Sequence, residues 1–454
     1  MRHWVACCLL SSLAYAELRV GAAAVKITPP VGLPLAGYYH VRLATGMHDE
    51  LYAKALVLEG SGSRAALVAC DLIALEGDLV EAARQLIERT TGLRGDRVMI
   101  SATHTHTGPE VERQFLAFVE GAPRQAAERY RAELPSRIAE AVRLAEAALT
   151  PARAWAHIGR EETLAFYRRF RMKDGTVQFN PGKLNPDIVE PVGKPDPDVA
   201  VVYFDTPDDK PLATYVNYAL HLDTVGGTEY SGDYPYTLAR LLGQVKGPGM
   251  LTLFTLAAAG NINHVDVKSP EPQKGHGEAQ RIGTVLAGEV LKSYARLKPV
   301  VSGPVRVLSR RLELPARQVE PGALESARDT ARWFGKPGGP PFLDMVAALR
   351  TLDLAGRGGK AIPAEVQVVA LGEEVAWVGL PGEIFVELGV AIKRASPFPR
   401  TVVVSLANGS IDYVPTKEAF AEGAYEVISA RCAPGCGEML ADAAIGLLRD
   451  LYKR

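Results

Sequence analysis

The chain has 454 residues, 47% of them hydrophobic and 23% charged, with a formal net charge of −1 at pH 7. That is a globular composition with material for a large core, in one large or two medium domains. The near-neutral balance, without a basic block, argues against nucleic acid as the main partner.

At the N-terminus Arg2 and His3 precede an apolar run from Trp4 to Leu13, and Ala14-Tyr15-Ala16 gives a small-x-small cleavage pattern. This predicts a signal peptide over residues 1–16, a mature chain beginning near Glu17, and export to the periplasm or beyond the cell. The run is too short to span a bilayer, and no later apolar stretch approaches 20 residues. Cys7 and Cys8 would leave with the signal. In an oxidising compartment Cys432 and Cys436 are placed to close a small disulfide, whereas Cys70 lies in an apolar run and reads as buried.

The mature chain opens with a predicted strand, Leu18 to Ile27, stopped by Thr28-Pro29-Pro30. Strands are predicted at Leu51 to Leu58 and Ala65 to Ile73, then a helix at Leu79 to Thr90. A third apolar run, Val98 to Ala102, ends in Thr103-His104-Thr105-His106-Thr107-Gly108-Pro109. Alternate strand residues share a face, so both imidazoles are expected to leave the strand end toward one site. Such a pair suits zinc, and it equally suits two histidines hydrogen-bonded near a turn. Apolar spacing at 3.6 residues predicts a long helix over Glu128 to Ala148. Strands at Val199 to Phe204, Ala213 to Ala219 and Leu251 to Ala257 follow, with helices at Tyr236 to Leu242 and Ala279 to Leu297. Gly- and Pro-rich loops at 335–341 and 356–360 flank a helical insertion. Strands at Val366 to Leu371, Val375 to Leu380 and Thr401 to Leu406 and a helix at Glu438 to Leu451 complete the pattern. Strands mixed with helices predict an α/β fold of layered mixed sheets with flanking helices, and without an internal linker a single large domain over 17–454.

Several segments, taken together, resemble the N-terminal catalytic domain of the neutral/alkaline (non-lysosomal) ceramidase family. They are Val25-Lys26-Ile27-Thr28-Pro29-Pro30 with Gly37-Tyr38, then Ala102 through Pro109, Asp196-Pro197-Asp198-Val199 and Val216-Asn217-Tyr218-Ala219-Leu220-His221. Ser231-Gly232-Asp233-Tyr234-Pro235, Ala258-Ala259-Gly260-Asn261-Ile262-Asn263 and Leu380-Pro381-Gly382-Glu383-Ile384-Phe385 continue the order. Ala407-Asn408-Gly409, Tyr413-Val414-Pro415-Thr416 and Tyr425-Glu426 close it. The resemblance implies a zinc amidase that cleaves the N-acyl bond of ceramide or a related N-acyl lipid, releasing a fatty acid and a free amine. It implies one zinc held by His104, His221, Glu383 and Tyr413. His106 would contact substrate or move a proton, Tyr425 would donate to the oxyanion, and Arg168, with Arg169 as its rival, would touch substrate. Gly37 would bring backbone close to the activated water. Transient contact with a membrane surface is also expected of such an enzyme.

The chain departs from that pattern in four places. With the sequence stopping at Arg454, the immunoglobulin-like domain of the longer enzymes is not expected, and the stretch from Ala316 to Pro363 lacks family blocks. Tyr167 stands where Asn usually precedes the arginine. Glu110 stands where Gly often follows the histidine motif, which puts an acid near the mouth. Other readings are a zinc hydrolase of a different small N-acyl amide and a catalytically silent exported binding protein. A TIM-barrel amidohydrolase would need further strand-end histidines and eightfold alternation. Asp71, Asp223 and Asp233 offer carboxylates for a phosphatase or nuclease, but Asp71 and Asp233 read more simply as structural acids or as supports behind a site, and no phosphate-binding glycine motif accompanies them.

Overall fold

The computed structural model describes residues 18–453, so the signal-peptide reading falls outside the described residues. Three mixed sheets make the frame. In the first, the order is Val98–Ala102, Ser63–Cys70, Tyr52–Gly60, Arg19–Lys26 and Thr150–Pro151. In the second it is Leu251–Leu256, Pro211–Tyr218, Asp198–Asp205, Arg153–Arg160 and Lys298–Val300. The third runs Val305–Leu314, Ile362–Leu371, Val375–Gly379 and Arg400–Val404. Each carries a parallel pair at one edge: Ser63–Cys70 with Val98–Ala102, Pro211–Tyr218 with Leu251–Leu256, and Val375–Gly379 with Arg400–Val404. Parallel neighbours need a crossover, and helices Gly77–Thr91, Tyr234–Lys246 and Val386–Ala395 supply it.

Period-2 burial explains how the sheets assemble. Along Tyr52–Gly60, Leu56 and Leu58 point into a core shared by all three sheets, while Ala55 and Val57 point into the helix-covered core. The shared core also takes Phe204 and Tyr215 from the second sheet and Trp377, Val402 and Val404 from the third. Trp377 has no exposed surface. A third core packs helix Cys436–Tyr452 on the outer face of the third sheet.

The predicted elements are present with shifted ends. The long helix spans Gly121–Ala147, starting before Glu128 and passing through Pro135. Strands Arg153–Arg160 and Val305–Leu314 were not expected from the sequence. The second carries Arg306, Arg310 and Arg311 among its residues and lies at a sheet edge, where no continuous apolar run is needed. The 316–363 stretch contains helices Ala323–Ala331 and Phe342–Arg357. Cys70 is fully buried, and Cys432 and Cys436 are also buried free thiols, so the expected disulfide is not formed. Cys436 begins a helix and turns its sulfur toward the Pro315 carbonyl at 3.5 Å. Among the described residues, no helix is long and apolar enough to cross a membrane.

Candidate metal centre

The site lies where loops leaving the C-terminal ends of strands from all three sheets converge. His104 follows Val98–Ala102, His221 follows Pro211–Tyr218, and Glu383 follows Val375–Gly379. The histidine pair does not converge by strand alternation, as its spacing suggests. The strand stops at Ala102, and His104 adopts a left-handed conformation (φ 75°) with its N–H donating to Leu72 O at 2.8 Å. That turn, rather than the pleat, brings the two imidazoles to a centroid separation of 4.9 Å.

Each imidazole is oriented through its Nδ1. His104 donates to Ile73 O at 2.8 Å, His106 to Gly37 O at 3.0 Å, and His221 to Ala259 O at 3.4 Å. A carbonyl can only accept, so these contacts place the proton on Nδ1 and leave three Nε2 lone pairs. One candidate ligand atom from each ring lies within 4.8 Å of the other two. His104 Nε2 and His221 Nε2 are 2.9 Å apart, two acceptors with no proton between them. Glu383 Oε2 sits 3.2 Å from the first and 3.6 Å from the second. Both His106 Nε2 and Glu383 Oε2 are buried without a hydrogen-bond partner. Facing lone pairs and an unpartnered carboxylate oxygen are repulsive unless a cation lies among them, so this donor set fits a divalent metal with imidazole and carboxylate ligands. Burial holds the His221 imidazole far below its ordinary value and pushes His106 down to about 4, keeping both neutral and able to ligate. Burial pushes the Glu383 carboxyl up, but His104, Arg168 and the Tyr413 hydroxyl outweigh it and keep that carboxyl ionised.

Glu383 and Tyr413 are partners in a short parallel ladder, with Ile384 opposite Val414. Arg168 donates to the Tyr413 hydroxyl at 3.0 Å, to Gly260 O at 2.6 Å and to Glu426 at 2.8 Å. Arg169 turns the other way, to Glu426 and Glu422, so the geometry brings Arg168 rather than its neighbour to the site. Tyr167 donates to Glu387 at 2.8 Å and accepts from Asn261. Tyr425 lines the same cavity as His104 and Glu383, its ring 5.3 Å from that of Tyr413. Two glycines are sterically required here. A Cβ on Gly260 would lie 2.3 Å from Glu383 O, and one on Gly37 would lie 2.7 Å from the His106 ring. The close approach of Gly37 is therefore to His106.

Other residues at the site were given no role there by the sequence, Asp223 having been weighed only as part of a phosphatase-type cluster. Asp223 Oδ1 lies 3.6 Å from His106 Nδ1 and accepts from Tyr38 at 2.7 Å. Arg42 donates to His106 O at 2.8 Å and stacks on the Tyr38 ring. The position of Asp223, two residues after His221 in a loop, was the available signal. Asp71 accepts from Tyr52 N at 2.9 Å, and Asp233 caps helix Tyr234–Lys246 while accepting from Thr224 and Val225, so both are structural. Glu110 is buried and accepts from Glu112 N at 2.8 Å; the acid that lines the cavity is Glu112.

The cavity at the imidazoles is about 70 Å³. Gln114 and Phe115 line both it and a groove of about 880 Å³ walled by Phe118, Leu349, Leu352 and Ile411, with a charged margin.

No protein-family model matches the chain, and no curated protein does either. Solved structures do, two ceramidases among them. One is a neutral ceramidase from Pseudomonas aeruginosa, with a TM-score of 0.73 and 18% identity over 97% of this chain and 75% of that one. The other is a ceramidase complexed with C2, with a TM-score of 0.72 and 18% identity over 97% of this chain and 76% of that one. Across 97% of its length, this chain has the neutral ceramidase fold.

Proposed function

We propose that the protein is a zinc-dependent amidohydrolase that cleaves the N-acyl bond of ceramide or a related N-acyl lipid. The observation that carries this reading is the convergence of three Nε2 lone pairs and the Glu383 carboxylate at one buried point of this fold. His104, His221, Glu383 and Tyr413 would hold the zinc, and His106 stands beside them with its Nε2 left free for the proton. When bound, zinc supplies Lewis-acid activation of water and of the acyl carbonyl.

The remaining work belongs to side chains. His106 is neutral, and its free Nε2 accepts a proton from the attacking water. Asp223, 3.6 Å behind the ring, stabilises the imidazolium that results. Tyr425 donates to the oxygen that gains charge as the carbonyl becomes tetrahedral. Arg168, anchored by Glu426, fixes the Tyr413 hydroxyl. His106 then returns its proton to the departing amine. The scissile amide would sit in the 70 Å³ cavity, and the adjoining groove has room for an acyl chain. In this reading residues 17–454 form one catalytic domain, and residues 1–16 direct its export.

The test pairs zinc content with hydrolysis of a fluorescent N-acylsphingosine, comparing wild type with His104→Ala and Glu383→Ala. One zinc per chain and turnover, both lost in the variants, are expected. Zinc without turnover moves the substrate to another N-acyl amide. A wild type that binds no zinc overturns the centre and leaves a silent binding protein of this fold.

A further inference from the structure

Glu112 is an acid without a hydrogen-bond partner in the wall of the candidate metal cavity. It is 6% exposed and lines that cavity together with His104, Glu383 and Tyr425. Its carboxyl makes no hydrogen bond among the described residues, and its backbone N–H is taken by Glu110 at 2.8 Å. The nearby cations are already matched. Arg350 bonds Asp353 at 2.7 Å and also Asp412, and Arg431 bonds Asp353 at 2.8 Å and approaches Asp412 at 3.3 Å. Arg357 also reaches Asp353, at 3.8 Å, so three arginines share these two aspartates, and Arg431 acts on Glu112 only at a distance, with no hydrogen bond or ion pair between them. A buried, unpartnered carboxyl is costly, and one that faces an open cavity is completed by what enters it. Burial, with Glu110 and Asp412 adding to it and outweighing the opposing pull of Arg431, raises this acid well above its ordinary value, which favours the neutral form, able to donate and accept at once.

The surroundings select the ligand. Gln114 and Ser429 share this cavity with Glu112 and set polar groups among its aromatic rings, whereas the groove beyond Phe115 has an aliphatic wall of Leu349, Leu352 and Ile411. The amine half of an N-acyl amide belongs at Glu112 and the acyl half beyond Phe115. A cationic group would sit beside the Arg350 and Arg431 guanidiniums and the metal, so a neutral hydroxyl fits.

We infer that Glu112 is a specificity-determining residue whose carboxyl hydrogen-bonds a hydroxyl on the amine portion of the substrate. This rests on the amide-hydrolase reading and adds to it the residue of this chain that reads the amine side of the substrate. The experiment uses the zinc-loaded full chain and two substrates with one acyl group, an N-acylethanolamine and the matching N-acylethylamine. Wild type should favour the hydroxylated amide by about tenfold or more in kcat/KM, since a site built to bond a hydroxyl rejects the analogue lacking it. In Glu112→Leu the ratio should fall to near one, and Glu112→Gln should retain part of it, with thermal melts confirming that both variants fold. A purely structural role would lower both rates together and leave the ratio intact, which overturns the assignment. A wild-type ratio of one does the same. Hydrolysis of neither amide, nor of N-acylsphingosine, overturns the hydrolase reading and this assignment with it.

Discussion

At the level of single residues, the centre depends on a few groups whose neighbours leave them no alternative. Gly37 has φ 94° and meets the His106 ring where a Cβ would stand, at 2.7 Å. Gly37→Ala adds left-handed strain of about 1–2 kcal/mol and pushes His106 off its carbonyl. The expected outcome is at least a tenfold fall in kcat with a modest loss of thermal midpoint, read from steady-state kinetics and melting. Arg168 shares the fully buried Glu426 with Arg169. Removing one cation from such a group leaves charge uncompensated, so Arg168→Met should cost about 3 kcal/mol in chemical denaturation. Adding Glu426→Gln to that variant should recover part of the loss. The chemistry-bearing types His104, His221 and Glu383 were legible because each follows an apolar strand and matches a family block. Asp223 and Glu112 were not, because an acid in a loop has no periodic signature; only its neighbours give it a role.

Among the elements, apolar periodicity located nearly every strand with two buried faces and every long helix. Period 2 and period 3.6 fail where burial is one-sided or absent. Val305–Leu314 is an edge strand with exposed arginines, and its ten-residue pairing with Ile362–Leu371 follows from its partner rather than from its own pattern. The long helix Gly121–Ala147 tolerates Pro135 because both sides of the break pack on the first sheet through Tyr130, Leu134, Ile138 and Val142. An interior proline costs about 3 kcal/mol, and the two buried methylenes lost in its replacement offset about half of that. Pro135→Ala should therefore stabilise the protein by about 1 kcal/mol, measured as an increase in denaturation midpoint at unchanged slope.

For the whole molecule, charge burial gives stability a pH dependence. Glu110 and Glu112 are both raised, Glu110 to about 7, by burial first, with Glu76 adding to it at Glu110 and Glu110 and Asp412 at Glu112. A carboxyl raised in the folded state binds its proton more tightly there than in the unfolded chain. Its contribution is complete below the unfolded value near 4.5 and is lost as pH rises through about 7. In the metal-free protein, stability should thus decline between these values by up to about 1.4 kcal/mol per pH unit per group. Glu110→Gln, which keeps an acceptor for the Glu112 N–H, should flatten that decline in denaturation curves taken at successive pH values.

The sequence by itself determined the class of fold and the residue types available for chemistry. Apolar periodicity is a local property, and ordered motifs survive as text. What only the tertiary structure decided was the centre itself: three loops from three sheets, separated by more than a hundred residues along the chain, meet at one point. It also decided that Arg168 rather than Arg169 reaches Tyr413, and that Glu112 rather than Glu110 faces the cavity. Neighbouring residues of the same type differ only in the direction of their side chains. That direction is fixed by packing against parts of the chain that lie far away in sequence.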